Sequence, residues 1–247
     1  MEILSVKNIT KSFGENRIIE DVSLTLNKGE LVSLLGVSGA GKTTLFNCIS
    51  GIDKADSGQI ILQGEDISGK PGQISYMLQK DLLLPYKKIV DNVSLPLVLS
   101  GKKKAAAREC ALAHFAEFGI EGTENYYPAQ LSGGMRQRAA LLRTYLASNG
   151  VALLDEPFSA LDTITKGAMH SWYLSVMEKI DLSTIFITHD IDEAILLSDR
   201  ILILSGKPGK ITDEIRINQP KPRSSDFNLT PDFLEYKKQV IYALGNI

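Results

Sequence analysis

Two short segments hold residues whose types and spacing suit phosphate chemistry. The first, Gly36-Val37-Ser38-Gly39-Ala40-Gly41-Lys42-Thr43, matches G-x-x-x-x-G-K-[ST] at every defined position. Its glycines let a loop curl so that backbone N–H groups converge on phosphate oxygens. A helix opening at Lys42 adds the positive end of its dipole. In that setting the Lys42 ammonium reaches the β- and γ-phosphates and the Thr43 hydroxyl ligates Mg²⁺, with Thr44 extending the phosphate contact. The second segment is Val151-Ala-Leu-Leu-Asp155-Glu156. Here an apolar strand delivers the Asp155 carboxylate beside the loop, where it can hold Mg²⁺ or its water. Glu156, one residue further, can face an attacking water.

These residues need a scaffold, and the pattern around them supplies an α/β one. The first 35 residues read as strands. Ile3 to Ile9 alternates loosely, Val22-Ser-Leu-Thr-Leu26 strictly, and Leu31–Leu35 is a buried apolar run entering the Gly-rich loop. Lys42 to Ser50 reads as a helix stopped at Gly51, and strands follow at Gln59–Leu62 and Ile74–Leu78. From about residue 86 to 147 the pattern is helical: Ile89–Leu99, Lys102–Phe118 and Ser132–Ala147. Strand character returns at Val151–Leu154, Thr184–Ile187 and Ile201–Leu204, with helices between. Strands alternating with helices predict a largely parallel sheet. A polar, Pro-rich segment from Asn218 to Ser225 precedes a last helix, Pro231–Leu244.

Composition narrows the class. The 247 residues carry 27 Lys plus Arg against 29 Asp plus Glu, a formal charge of −2, and 44% are hydrophobic. That argues against a nucleic-acid binder relying on a strong overall basic field. Two cysteines, Cys48 and Cys110, exclude a disulfide scaffold and a Cys-only zinc site, and both read as small buried hydrophobes. No apolar run is long enough to span a bilayer, and the N-terminus lacks a signal-peptide pattern. A cytosolic or peripheral membrane protein is expected. Lys102-Lys-Lys104 reads as a solvated helix start, with anionic headgroups as the alternative contact.

Leu131-Ser132-Gly133-Gly134-Met-Arg-Gln-Arg138 adds a more specific signal. With Gln79 after a strand, Ser159-Ala-Leu-Asp162 after the Asp-Glu pair, and His189 at a strand end, it resembles the nucleotide-binding subunit of ATP-binding cassette (ABC) transporters over residues 2–217. The resemblance implies one nucleotide-binding domain over 1–247: a P-loop NTPase core with a largely parallel sheet, an N-terminal antiparallel β subdomain, a helical subdomain inserted at about 86–147, and a C-terminal extension at 218–247. It implies ATP and Mg²⁺ as cofactors. Phe13 stands where the family stacks an aromatic on adenine, more often Tyr. Gln79 touches Mg²⁺ or the attacking water, Glu156 is the general base, and His189 contacts the γ-phosphate. Ser132, Gly133 and Gly134 form an anion site for the partner's ATP in a head-to-tail dimer, and Asp162 lies across that interface. His114 and His170 are expected in helices, solvated or packed.

The implied function is ATP hydrolysis powering import of a small solute through a membrane permease, from the cytoplasmic face of the membrane. Implied partners are a second ATP-binding subunit, permease subunits and, indirectly, an extracytoplasmic solute-binding protein; no nucleic acid is expected. Gly206-Lys-Pro-Gly-Lys-Ile211, Pro220-Lys-Pro-Arg223 and Gln79-Lys-Asp-Leu-Leu-Leu-Pro85 resemble the nitrate/sulfonate/taurine importer group, which includes carriers of thiamine-precursor pyrimidines, although Tyr86 replaces its usual Trp. A soluble ATPase of this fold serving, for example, iron–sulfur assembly is the alternative. A binding module without turnover is disfavoured by Glu156 and His189. Leu82, Leu83, Leu84, Tyr86, Val90, Val93 and Leu97 are the expected lining of a permease-docking groove.

Overall fold

The computed structural model describes residues 1–159, 163–177, 179–221, 223 and 225–245. Two sheets organise these residues. In the first, β1 (Glu2–Phe13), β2 (Asn16–Asn27), β4 (Ser57–Leu62) and β5 (Glu65–Asp66) run antiparallel in the order β2-β1-β4-β5. The second joins β3 (Leu31–Leu35), β6 (Ser75–Met77), β7 (Val151–Asp155), β8 (Ser183–Ile187), β9 (Arg200–Ser205) and β10 (Lys210–Arg216) in the order β10-β9-β3-β8-β7-β6. All its pairs are parallel except β9 with β10. Every residue of β3, β7, β8 and β9 is buried, as continuous apolar runs in a parallel sheet require. The fold is thus a P-loop NTPase core with an antiparallel N-terminal sheet.

Helices cover the sheets: α1 (Lys42–Ser50), α2 (Ile89–Val93), α3 (Leu95–Leu99), α4 (Lys104–Leu112), α5 (Gly133–Leu146), α6 (Thr163–Met177), α7 (Ile191–Leu197) and α8 (Pro231–Gly245). One apolar cluster packs the second sheet against α2, α5 and α6 through Phe115, Phe118, Leu142 and Tyr173. Another fills the space between the two sheets around Phe46 of α1. A third seats α8 against α7 and β9 through Phe233 and Val240. No helix among the described residues is long and apolar enough to cross a membrane.

The structure differs from the periodicity in several places. The helix expected over 89–99 breaks at Ser94, and a separate short helix starts at Leu95; Pro96, which has no N–H to donate, could not have continued the first. The helix expected over 102–118 ends at Leu112, so His114 lies in the turns beyond it. Apolar residues continue there, but they pack as turns onto the core through Phe115 and Phe118. Strand β10 has an exposed, charged face, which hid its alternation. Cys48 is buried as expected; Cys110 is exposed. Val90 and Val93 belong to the core rather than to a surface groove; Leu83 is buried but borders a wide groove beside exposed Leu82, and Tyr86 is exposed.

Candidate active site

The carboxyl ends of β3, β8, β7 and β6 lie side by side, and each feeds one functional segment into the same region. This is where ligands bind on parallel sheets. From β3 the chain enters the loop 36–41 and turns into α1, with Gly41 at the helix N-cap in the left-handed region (φ 95°). The loop is backed closely. A Cβ on Gly36 would stand 2.2 Å from the Leu204 carbonyl oxygen of β9. Behind Ala40, a Cβ on Gly209 would stand 2.0 Å from the Ala40 oxygen, so both positions require glycine. Gly209 also donates to the Ile18 carbonyl at 2.8 Å and accepts from Glu20 N at 3.0 Å, tying β2 to the loop.

Ser38, Gly39, Gly41, Lys42, Thr43, Thr44, Asp155 and Glu156 line one groove of about 380 Å³. Lys42 Nζ donates to the Gly36 and Val37 carbonyls at 2.7 and 3.0 Å. Burial lowers its pKa, opposed by the charges of Glu156 and Asp155. The Thr43 hydroxyl donates to Asp155 Oδ2 at 3.3 Å, and the Tyr76 hydroxyl reaches the same oxygen at 3.3 Å. Burial raises the Asp155 pKa, and the two hydroxyl hydrogen bonds pull it back. Thr43 and Asp155 are hard oxygen donors. Among the described residues, no group of three His, Cys, Asp or Glu is placed to cage a metal. One hydroxyl beside one carboxylate fits Mg²⁺, which takes its remaining ligands from water and phosphate. Gly36, Val37 and Ala40 do not line the groove: Val37 is exposed, and Ala40 is buried.

Glu156 links this groove to a second, of about 830 Å³, lined by Gln79, Gln137, Ser159 and His189 among others. Its backbone is left-handed (φ 46°), unusual for a side chain of this size, and is fixed by Glu156 N donating to Ile187 O at 2.9 Å. Gln79 Nε2 donates to Glu156 Oε2 at 2.9 Å. His189 Nδ1 lies 3.2 Å from the other carboxylate oxygen. Behind His189, the neighbouring Thr188 hydroxyl bonds buried Glu193, which holds His170 Nε2 at 2.9 Å. The His170 ring in turn stands edge-on to Phe158 at 5.1 Å.

Two expected site elements lie apart. Phe13 is 52% exposed at the end of β1, with Lys11 Nζ 5.0 Å from its ring centre. Ser132 caps α5, accepting from Met135 N at 3.3 Å, and neither it nor Gly133 nor Gly134 lines either groove. Asp162 lies outside the described residues. The motifs did not point to Tyr76, which no local signal in the sequence marks. Gln137 lies within the 131–138 segment, which does not single it out as a site residue; its Oε1 is buried with no hydrogen-bond partner.

The family model for ABC transporters matches residues 19–159. A formylaminopyrimidine import ATP-binding protein, ThiZ of Halalkalibacterium halodurans, is 45% identical over 84% of this chain and 81% of its own. A taurine import ATP-binding protein, TauB of Escherichia coli O157:H7, is 34% identical over 97% and 96%. The dimeric structure of MJ0796, a bacterial ABC transporter cassette, superposes with a TM-score of 0.74 at 29% identity, covering 88% of this chain and all of that one. The chain belongs to the ABC transporter family and is an ATP-binding subunit of it, an ATPase coupled to transport.

Proposed function

We propose that this chain powers import of a small solute through a membrane permease, by ATP-driven closure of a head-to-tail dimer. The observation that carries the reading is the convergence on Glu156 of Gln79 and His189, at the edge of the groove that holds Lys42. In this reading Glu156 is the general base for the attacking water. Gln79 and His189 hold its carboxylate and turn to the γ-phosphate and water when nucleotide is present. The loop from Gly36 through Val37, Ser38, Gly39, Ala40 and Gly41 to Lys42, Thr43 and Thr44 cradles the phosphates. Thr43 and Asp155, with Gln79, would hold magnesium, which would neutralise charge on the β- and γ-phosphates. Phe13 stacks on adenine through its open ring face, a contact worth about 1–3 kcal/mol in base stacking generally.

Ser132, Gly133 and Gly134 then serve the ATP of a second copy. Their separation from both grooves supports action in trans, and the dimeric cassette of known structure supports pairing. Asp162 joins that interface. The assembly is read as a homodimer of single nucleotide-binding domains, each with a helical subdomain at about 86–147 and a C-terminal extension at 218–247. It works at the cytoplasmic face of the membrane, served indirectly by a solute-binding protein. The import names of the relatives support the direction of transport. The permease seats on exposed Leu82 and Tyr86 beside the Gln79 loop. The test is solute uptake into proteoliposomes containing this chain and its permease. Uptake that requires ATP on the side of this chain supports the reading. Uptake independent of this chain, or ATP turnover with no permease association, overturns it.

A further inference from the structure

Gln79 is held over Glu156 by a loop with an unfavourable backbone. Three residues on, Leu82 has φ 45°, the left-handed region that branched side chains avoid. Such a conformation persists only where its surroundings impose it. The surroundings here are two arginines of α5. The Arg143 guanidinium donates from Nη1 to the Leu82 carbonyl at 2.8 Å and from Nη2 to the Asp81 carbonyl at 2.5 Å. Two turns earlier on the same face of α5, Arg136 Nε lies 3.3 Å from Asp81 Oδ2, while its Nη1 donates to Leu131 O at 2.8 Å. Asp81 closes the turn by accepting from Leu83 N at 3.0 Å.

Arg143 is the costly member of this set. Burial pushes its pKa down, and the Asp81 charge only partly opposes that. Arg143 is half-buried, and a partly desolvated cation without full pairing is costly where an apolar residue could fill the same volume. What an apolar residue cannot do is grip two successive carbonyls in one plane, which the planar guanidinium does.

We propose that Arg143 is a positioning residue for the ATPase reaction: it clamps the backbone of Asp81 and Leu82 to α5, so that Gln79 stays registered on Glu156. This rests on the reading of Gln79 and Glu156 given above. Because α5 begins beside Ser132, the clamp also makes the Gln79 loop and the Ser132 end of that helix one mechanical unit.

The test compares Arg143→Met, Arg143→Lys, Gln79→Ala and the double variant Arg143→Met/Gln79→Ala in steady-state phosphate release, with affinity for a fluorescent ATP analogue measured alongside. Arg143→Met should lower kcat about 10- to 100-fold, the scale of a displaced catalytic group, with nucleotide affinity within about two-fold of the parent. Arg143→Lys, which keeps one donor, should recover part of the rate. The double variant should be no slower than Gln79→Ala alone, because both lesions remove the same contact. A slow Gln79→Ala beside a parental Arg143→Met overturns the clamp, as do losses that multiply in the double variant. A parental rate for Gln79→Ala overturns the reading of Gln79 itself, and the clamp with it. If Arg143→Met does not fold, Arg143→Lys and Arg143→Lys/Gln79→Ala carry the same comparison.

Discussion

Gln79 Nε2 donates to Glu156 Oε2 at 2.9 Å, bridging the end of β6 to the end of β7. The same carboxylate faces His189 on its other oxygen. Glu156→Gln keeps the shape and the acceptor for Gln79 but cannot take a proton from water. Hydrolysis should fall about 10²–10⁴-fold while ATP binding persists. Phosphate release and a nucleotide-binding titration check this. With chemistry blocked, an ATP-dependent dimer should accumulate in size-exclusion runs. A variant that turns over at the parental rate removes Glu156 from the base role.

Lys42 spends its ammonium on the Gly36 and Val37 carbonyls at the rim of the phosphate groove. Lys42→Ala removes both the loop brace and the charge that the proposed reading places on the β- and γ-phosphates. ATP affinity should weaken and turnover should vanish, with the melting temperature little changed because the side chain is not core. Parental hydrolysis in this variant would place the phosphates elsewhere.

Ser132→Arg should abolish turnover and spare ATP binding to the variant's own loop, since Ser132 lines neither groove of its own chain. The exposed cap tolerates the longer side chain, so the fold should survive. In a mixed dimer with Lys42→Ala, head-to-tail pairing puts both lesions in one composite site and leaves the other intact. Residual hydrolysis by the purified mixed dimer is the expected result.

Tyr86 is 72% exposed, whereas Leu83 is 7% exposed and belongs to the core. Tyr86→Glu should therefore leave basal hydrolysis intact while reducing co-purification with the permease. Leu83→Glu should instead lower stability by several kcal/mol, because it buries an unpaired charge. Thermal melts and pull-downs on the two variants separate docking from folding.

Glu30 binds Arg200 through both oxygens, and Arg200 also reaches the Thr25 carbonyl and Glu214, stapling the start of β9 to β2 and β3. Burial alone would raise the Glu30 pKa, but hydrogen bonds from Arg200 and Asn27 set it below the ordinary 4.5. A carboxyl depressed on folding stabilises the protein above its unfolded value. That contribution is lost as pH falls through the lower folded value. The parent should lose stability below about pH 4.5, and Glu30→Gln should flatten that part of the curve. Arg200→Met, which leaves Glu30 short of its main partner, should cost about 3 kcal/mol at neutral pH. Denaturant melts across pH measure both.

How much of this was legible in the sequence follows the physics of each element. Asp155, Glu156, Gln79 and His189 stand at or just past strand ends, where apolar runs stop abruptly and polar groups begin, and Lys42 and Thr43 open a helix after a glycine-rich loop that follows another such run. A linear pattern carries that signal well. Buried strands announce themselves likewise. The arginine clamp does not, because Arg143 and the Asp81 carbonyl meet only through tertiary packing and one partner is main chain. Tyr76 is unreadable for a similar reason: its position says strand, not which hydroxyl meets Asp155. The burial of Leu83 depended on which way a loop turns after Leu82, a choice set by a left-handed backbone that leucine rarely adopts.

The close backing of the phosphate loop has a consequence for how the chain is made. Strand β3, which leads into the loop, pairs with β8 on one side and β9 on the other, and Gly209 beyond β9 closes behind Ala40. All three supports come late in the chain. During synthesis the loop and its own Lys42 brace are translated early, yet the backing from β8, β9 and Gly209 is missing until residues past β9 have left the ribosome. The loop therefore gains its full backing only after β9 and Gly209 have been made. The long sequence separation of these contacts also makes their formation a late and slow event.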